Sequence, residues 1–327
     1  MSAIVQDEYG PEAADVLRLE IVDTPVPTDD EVLVRVAAAS VDRGTWHVMA
    51  GMPYPVRAAG FGLRAPKALN PGRSLAGTIA AVGTKVSDLR VGDEVFGTCD
   101  GALAQYACGR CERLASKPVN LDFEQAAAVP VSGLTALQAV RDHAKVRVGE
   151  RVLIIGASGG VGTFAVQIAK AFGAEVTGVC SRAKVDFVGG LGADHVVDYE
   201  SGDVTRTPDS YDVILDTGGG ARLSALRRAL RPRGRLVIVG GENGGRWLGG
   251  SDRQVRAMLV SPFVGQRLTT FVASEDAEHL VALRDLIEAG KVAPAVDRTY
   301  PLHDVAAAMR HLLEGRARGK IVIRVSS

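Results

Sequence analysis

Apolar and polar positions change rhythm partway along the chain. Over residues 1–115 the apolar positions come in short runs broken by Gly, Pro and Asp, the pattern of strands joined by turns. Residues 31–36, 74–83 and 101–107 each read as a strand, and residues 91–97 as a turn entering another. Strands at this spacing predict a small barrel or sandwich. Residues 51–72 interrupt the pattern with four prolines and no periodicity. They read as a long surface loop of the kind that borders a substrate site.

From about residue 120 strand-like and helix-like runs alternate. Residues 151–155 are continuously apolar after Arg151, as in a buried parallel strand. A glycine-rich turn follows at 156–162, then a helical run over 163–172 closed by Gly173. Further strands are predicted at 175–180, 211–216, 235–240 and 268–272, with helical runs between them. This alternation predicts an α/β, doubly wound parallel sheet, which binds ligands at the C-terminal ends of its strands.

The glycine-rich turn narrows the ligand. It reads Ala157-x-Gly159-x-x-Gly162, between a strand and a helix. Small residues there let the backbone approach a pyrophosphate, and the free amides at the helix start meet its charge. At the end of the second strand the chain reads Cys180-Ser181-Arg182-Ala183-Lys184. An acid at this place would hold the ribose hydroxyls of NAD. Here one hydroxyl and two cations suit the 2′-phosphate of NADPH instead.

Composition adds limits. A length of 327 residues suggests about two domains. Hydrophobic residues make up 46% and charged residues 23%, ordinary for a globular chain with a large core. The 38 basic and 38 acidic residues cancel, which argues against nucleic acid and against a polybasic membrane anchor. No apolar run reaches the ~18 residues of a membrane span, and residues 1–8 lack the basic start of a signal peptide. A cytoplasmic protein is therefore expected. Four cysteines make no disulfide framework in a chain of this length. Cys108 and Cys111 read either as a redox pair or as two small buried or edge thiols.

The run from Gly149 through Ala157-Ser158-Gly159-Gly160 and Gly162 to Gln167 and Lys170 resembles the signature of zinc-independent, quinone oxidoreductase-like medium-chain dehydrogenases/reductases. Val91-Gly92-Asp93-Glu94-Val95, Leu134-Thr135-Ala136, residues 191–199 and residues 316–323 resemble other segments of that family, so the likeness covers essentially the whole chain. Within that family it resembles the mitochondrial reticulon-4-interacting-protein-like NADPH reductases and their bacterial relatives. The resemblance implies a GroES-like β-barrel catalytic domain over 1–119 and a Rossmann domain over 120–265. Residues 266–327 would supply the last Rossmann strand and a return to the catalytic domain.

The resemblance also implies roles. Ser158, Gly159, Gly160 and Val161 would cradle the pyrophosphate, and Ser181, Arg182 and Lys184 would take the 2′-phosphate of NADPH. Tyr199 would lie near the adenosine, Thr217 and Gly218 near a ribose, and Gly240 and Gly241 near the nicotinamide half. Thr135 and Lys320 would approach the nicotinamide. Plainer readings stand beside these: a helix cap for Ser158, a packing aromatic for Tyr199 and a surface salt bridge for Lys320.

A catalytic zinc needs about three Cys, His or Glu ligands. The family's ligand positions fall here near Asp42, Arg73 and Val131, and the Cys99, Cys108 and Cys111 group lacks a fourth cysteine for a structural zinc. No metal is expected. Without one, an oxyanion needs hydrogen-bond donors. Candidates are Thr45, His47, Tyr54 and Arg73, with His47 open to a proton-donor or a packing role. The expected function is NADPH-dependent hydride transfer to a quinone, an enone or another electron-poor carbonyl. An enal or enoyl-thioester reductase, or a non-catalytic NADPH-binding protein, is the alternative. The likeness further implies a homodimer paired through the strand at 268–272.

Overall fold

The computed structural model describes residues 1–55, 57–240, 245–249 and 251–326. In chain order the strands are β1 (Ser2–Val5), β2 (Arg18–Ile21), β3 (Glu31–Val41), β4 (Ser74–Val82), β5 (Glu94–Thr98), β6 (Tyr106–Arg110) and β7 (Leu114–Ser116). There follow β8 (Arg151–Ile155), β9 (Glu175–Cys180), β10 (His195–Asp198), β11 (Tyr211–Asp216), β12 (Leu230–Ile238) and β13 (Arg267–Thr270). The last two are β14 (Val296–Pro301) and β15 (Lys320–Arg324). The helices are α1 (Ala13–Val16), α2 (Arg43–Ala50), α3 (Phe123–Ala127), α4 (Pro130–Leu137), α5 (Gly160–Ala171) and α6 (Val185–Gly190). Beyond them lie α7 (Leu223–Ala229), α8 (Gly245–Leu248), α9 (Ser251–Val260), α10 (Ala277–Glu288) and α11 (Val305–Leu313).

The chain forms two compact units. One holds residues 1–134, 275–290 and 294–327, and the other residues 135–274 and 291–293. The first unit therefore runs past the expected boundary at 119, because α3 packs on β3 and β4. The return to it begins at Glu275, after the last strand of the second unit, β13.

The first unit is built on a seven-stranded sheet in the order β14-β15-β3-β4-β5-β7, with β6 also on β3. Val32, Val34 and Val36 alternate along β3 and are fully buried in its core with Leu75, Ile79, Val95 and Ile321. Period-2 burial on one face is what makes these residues a sheet. The expected strand at 101–107 begins only at Tyr106, because Gly101 turns the chain at φ 83° and Ala104 makes only an isolated bridge to Ala3. The described residues of 51–72 are irregular apart from a helical turn at Arg57–Phe61. This is the GroES-like fold that the sequence resembles.

The second unit is a six-stranded parallel sheet in the order β10-β9-β8-β11-β12-β13. Strand order reverses between β8 and β11, the crevice that defines a Rossmann binding site. The central strands β8 and β11 are apolar because both their faces are covered. The edge strand stops at Thr270, two residues short of its predicted end. His303 lies in the turn before α11, and His311 lies on that helix. Among the described residues no helix is long and apolar enough to cross a membrane.

Phe164 of α5 is 0% exposed, whereas Phe263 is 87% exposed. Urea denaturation should show Phe164→Ala costing about 3–5 kcal/mol and Phe263→Ala within about 0.5 kcal/mol of the parent. Equal losses would contradict this placement of the core.

Candidate functional site

The second unit gathers most of the predicted cofactor residues at one end of its sheet. Strand β8 ends in Gly156, which turns at φ 82° with little room around it. A Cβ there would lie 2.6 Å from the Thr217 hydroxyl. A Cβ on Gly162 would lie 2.1 Å from the Gly156 carbonyl oxygen. These two glycines let the turn fold flat against the start of α5. Gly159 is the N-cap of α5 and is exposed, with its nearest backbone obstacle 3.4 Å from an added Cβ. The first amides of α5, at Gly160, Val161 and Gly162, come too early to find a partner within the helix. Ser158 is 8% exposed beside them.

Neighbouring strand ends complete the crevice. Asp216 at the end of β11 is in register with Ile155 of β8 and Ile238 of β12. The Thr217 hydroxyl donates to the Ile155 carbonyl at 2.8 Å, tying β11 to β8. A Cβ on Gly240 would sit 2.7 Å from the Thr217 oxygen, so this backbone approach also excludes larger residues. Gly218 lies at the same edge, half-buried. Gly241 lies outside the described residues.

On the other side of β8, β9 ends at Cys180 and the chain turns through Ser181, Arg182 and Lys184. Arg182 is exposed, and Ser181 and Lys184 are half-buried. Tyr199 follows β10, and its amide donates to the Cys180 carbonyl at 3.1 Å, so it stands beside this turn with its ring exposed. Ser158, Gly159, Gly160, Val161, Thr217, Gly218, Gly240, Ser181, Arg182, Lys184 and Tyr199 thus share the C-terminal end of one parallel sheet. Thr135 is half-buried on α4.

Sequence reasoning missed a residue here. Asp216 is fully buried, accepts from the Gly219 amide at 3.0 Å and pairs with Arg253 of α9. Nothing in the local pattern joins two residues so far apart in the chain.

The first unit holds the other candidates. Asp42 caps α2, accepting from the Thr45 amide at 3.0 Å while its own amide donates to Thr45 Oγ1 at 3.3 Å. That reciprocal cap buries Thr45 to 3% exposure. Asp42 also lies 3.3 Å from the ammonium of Lys320, which is 1% exposed. Burial pushes the Asp42 carboxyl up, but the Lys320 charge and the Thr45 donors outweigh it and hold Asp42 below the usual carboxylate range. The pair is therefore buried, where the plainer reading expected a surface salt bridge.

His47 holds its Nδ1 proton on the Met52 carbonyl at 2.7 Å, which leaves Nε2 as the free ring nitrogen. Tyr54 lies under the Arg57 guanidinium, 4.9 Å from the ring centre. Arg73 donates to Asp100 at 3.1 Å and to Glu275, and its buried Nε has no partner among the described residues. Arg73 lines a cavity of about 210 Å³ with Val48, Phe61, Lys67, Asn70 and Asp100. Thr45 and Lys320 are not among its walls.

The donor set does not fit zinc. Among the described residues no group of three or more His, Cys, Asp or Glu is placed to hold a metal ion. At two of the family's ligand positions stand Asp42, already paired with Lys320, and Arg73, a cation. The four cysteines are free thiols. Burial pushes Cys99 up strongly, and burial and Glu31 push Cys108 up to about 11, so neither is a thiolate at neutral pH.

Comparison with known proteins agrees with the geometry. The alcohol dehydrogenase GroES-like domain family matches residues 28–198, and the zinc-binding dehydrogenase family matches residues 191–323. A chloroplast envelope quinone oxidoreductase homolog of Arabidopsis thaliana is 30% identical, covering 99% of this chain and 98% of the relative. The mitochondrial NAD(P)H oxidoreductase RTN4IP1 of Mus musculus is 32% identical over 99% of this chain and 89% of its own length. The solved quinone oxidoreductase of Coxiella burnetii superposes with a TM-score of 0.83 at 28% identity, covering 100% of this chain and 99% of that one. A two-unit enzyme with a GroES-like fold and a Rossmann crevice is a medium-chain dehydrogenase/reductase. Within that superfamily the chain belongs to the quinone oxidoreductase-like family, and it is an oxidoreductase that works with a nicotinamide cofactor.

Removing Lys320 tests the buried pair. Asp42 is depressed in the folded state, so its contribution to stability is present above the unfolded carboxyl value of about 3.9 and is lost as pH falls through the folded value. Lys320→Met should cost about 3–5 kcal/mol at neutral pH. The loss should shrink in acid, where the unpaired Asp42 is neutral. An equal loss at both pH values in urea denaturation would contradict the pairing.

Proposed function

We propose that the chain is a zinc-independent reductase that uses NADPH and passes hydride to a quinone or a similar electron-poor carbonyl or enone. The observation that carries the cofactor choice is the turn after β9. It offers Ser181, Arg182 and Lys184 and no acid, and Arg182 is exposed. Guanidinium and ammonium donors favour a dianionic 2′-phosphate over a ribose hydroxyl pair. The amides of Gly160 and Val161 and the Ser158 side chain hold the pyrophosphate, and Tyr199 covers the adenine side. Thr217, Gly218 and Gly240 leave backbone room for the ribose and nicotinamide half.

When bound, the nicotinamide supplies the hydride. The chain's task is then to receive the acceptor, exclude water and neutralise the oxyanion that hydride addition leaves on the quinone. The 210 Å³ cavity of the first unit is our candidate acceptor pocket. Its Arg73 Nε is a buried donor with no partner among the described residues, which suits a developing negative oxygen. His47, whose Nδ1 is held by the Met52 carbonyl, is the candidate on α2 for supplying the proton through Nε2. Quinones and enones suit such a site because they accept hydride without a strong Lewis acid. Thr45 and Lys320 act through Asp42 and hold the start of α2. A homodimer through the free edge of β13 accords with an unpaired strand at the end of the sheet.

Fluorescence titration should show Arg182→Ala weakening NADPH binding at least about tenfold and NADH binding less than about twofold. Equal losses would remove the 2′-phosphate assignment. Steady-state NADPH oxidation should accelerate with ortho- or para-quinones and persist after chelation, in a preparation without stoichiometric zinc. Tight NADPH binding with no accelerated acceptor would favour a non-catalytic protein.

A further inference from the structure

Residues 222–235 hold six arginines and no acidic residue. Two of these charges are cancelled, Arg231 by Asp212 at 2.7 Å and Arg235 by Glu150 at 2.5 Å. Arg227 and Arg228 are held in another way. Arg227 Nε donates to Gln266 Oε1 at 3.2 Å. Gln266 is itself fixed, its amide donating to the Arg227 and Leu230 carbonyls at 2.7 and 3.2 Å. Arg228 donates through Nε and Nη2 to the Thr205 carbonyl, both at 3.2 Å. Neutral acceptors orient a guanidinium without cancelling its charge. Both Nη atoms of Arg227 and Nη1 of Arg228 keep their donors free among the described residues.

Half-buried Arg227 and exposed Arg228 line an open surface pocket of about 340 Å³, whose walls include Ser224, Pro232 and Gln266 and no carboxylate. One acid that feels the Arg228 charge is Asp203. Its carboxyl is held below the usual range chiefly by the Thr205 hydroxyl and amide, with Arg228 the smallest contributor. Asp203 is therefore engaged elsewhere, at 2.6 Å from the Thr205 hydroxyl. A basic residue in the last turn of α7 is favoured by the helix dipole. That effect requires neither the neutral clamps nor the cavity.

The place is also distinct. Pro232 lies near the start of β12, and Gln266 immediately precedes β13. The cavity is thus at the N-terminal ends of the parallel strands, and the Gly156–Gly162 turn is at their C-terminal ends.

We propose that this cavity binds a small, multiply charged oxyanion, either a phosphoryl or a dicarboxylate group. The two guanidinium groups supply paired donors, and the exposed Ser224 hydroxyl adds a third donor group. The site is separate from the cofactor crevice and does not depend on which dinucleotide that crevice takes.

Isothermal titration calorimetry of the whole chain at low ionic strength, with pyrophosphate and with succinate as probes, tests it. At least one probe should bind with a Kd of about 1 mM or tighter. The tighter of the two assigns the ligand as phosphoryl or carboxylate. Arg227→Gln and Arg228→Gln should each weaken it about tenfold. Arg233→Gln removes the same charge from an exposed residue outside the cavity walls and should cost less than about twofold. Arg182→Ala, at the other end of the sheet, should also cost less than about twofold. No binding of either probe would overturn the proposal. So would an equal loss in Arg233→Gln, which would mean a diffuse positive field, or a loss confined to Arg182→Ala.

Discussion

Gly162 approaches the carbonyl of Gly156 so closely that one added carbon would stand 2.1 Å from its oxygen. Helix α5 can start where it does only because that carbon is missing. Its free amides then face the end of β8, and the Thr217 hydroxyl locks β11 alongside at the same height. The rest of the crevice is built around that local closeness. The strand ends lie level, the small residues Gly218 and Gly240 line the gap, and the cationic turn after β9 is one strand away.

The first unit depends on a different constraint. A carboxylate and an ammonium share a buried position at the start of α2, and neither is tolerable there alone. Asp42 does two things at once, capping the helix and neutralising Lys320. At one position where zinc-dependent relatives need a ligand, this chain has built an internal ion pair. At another it has a guanidinium clamped between Asp100 and Glu275.

The parts that were legible in the sequence are those written in short stretches of chain. The Ala157-x-Gly159-x-x-Gly162 turn, the apolar run of β8 and the acid-free end of β9 each announce themselves within a few residues. The cap formed by Asp42 and Thr45 is also a local signal, two oxygen-bearing residues three positions apart at a helix start. What could not be read are the contacts between distant segments. Lys320 is brought to Asp42 by the antiparallel pairing of β15 with β3. Glu275 reaches Arg73, and Arg253 reaches Asp216, by tertiary folding alone. The first unit reaches residue 134 by the same kind of contact: the packing of α3 on β3 and β4 leaves no mark in the composition of residues 120–134. Strand ends slipped where a turn glycine such as Gly101 broke the ladder.

The zero net charge hides two local excesses of positive charge, one after β9 and one at the other end of the sheet around α7. The first of these lies at the end of the sheet where the dinucleotide is proposed to bind. Backbone amide NMR during titration with NADPH tests it most directly. The account predicts the largest shifts at Gly159, Gly160 and Val161, at Ser181, Arg182 and Lys184, and at Thr217 and Gly218. Shifts confined to other residues, or none under conditions where the dinucleotide binds, would contradict it.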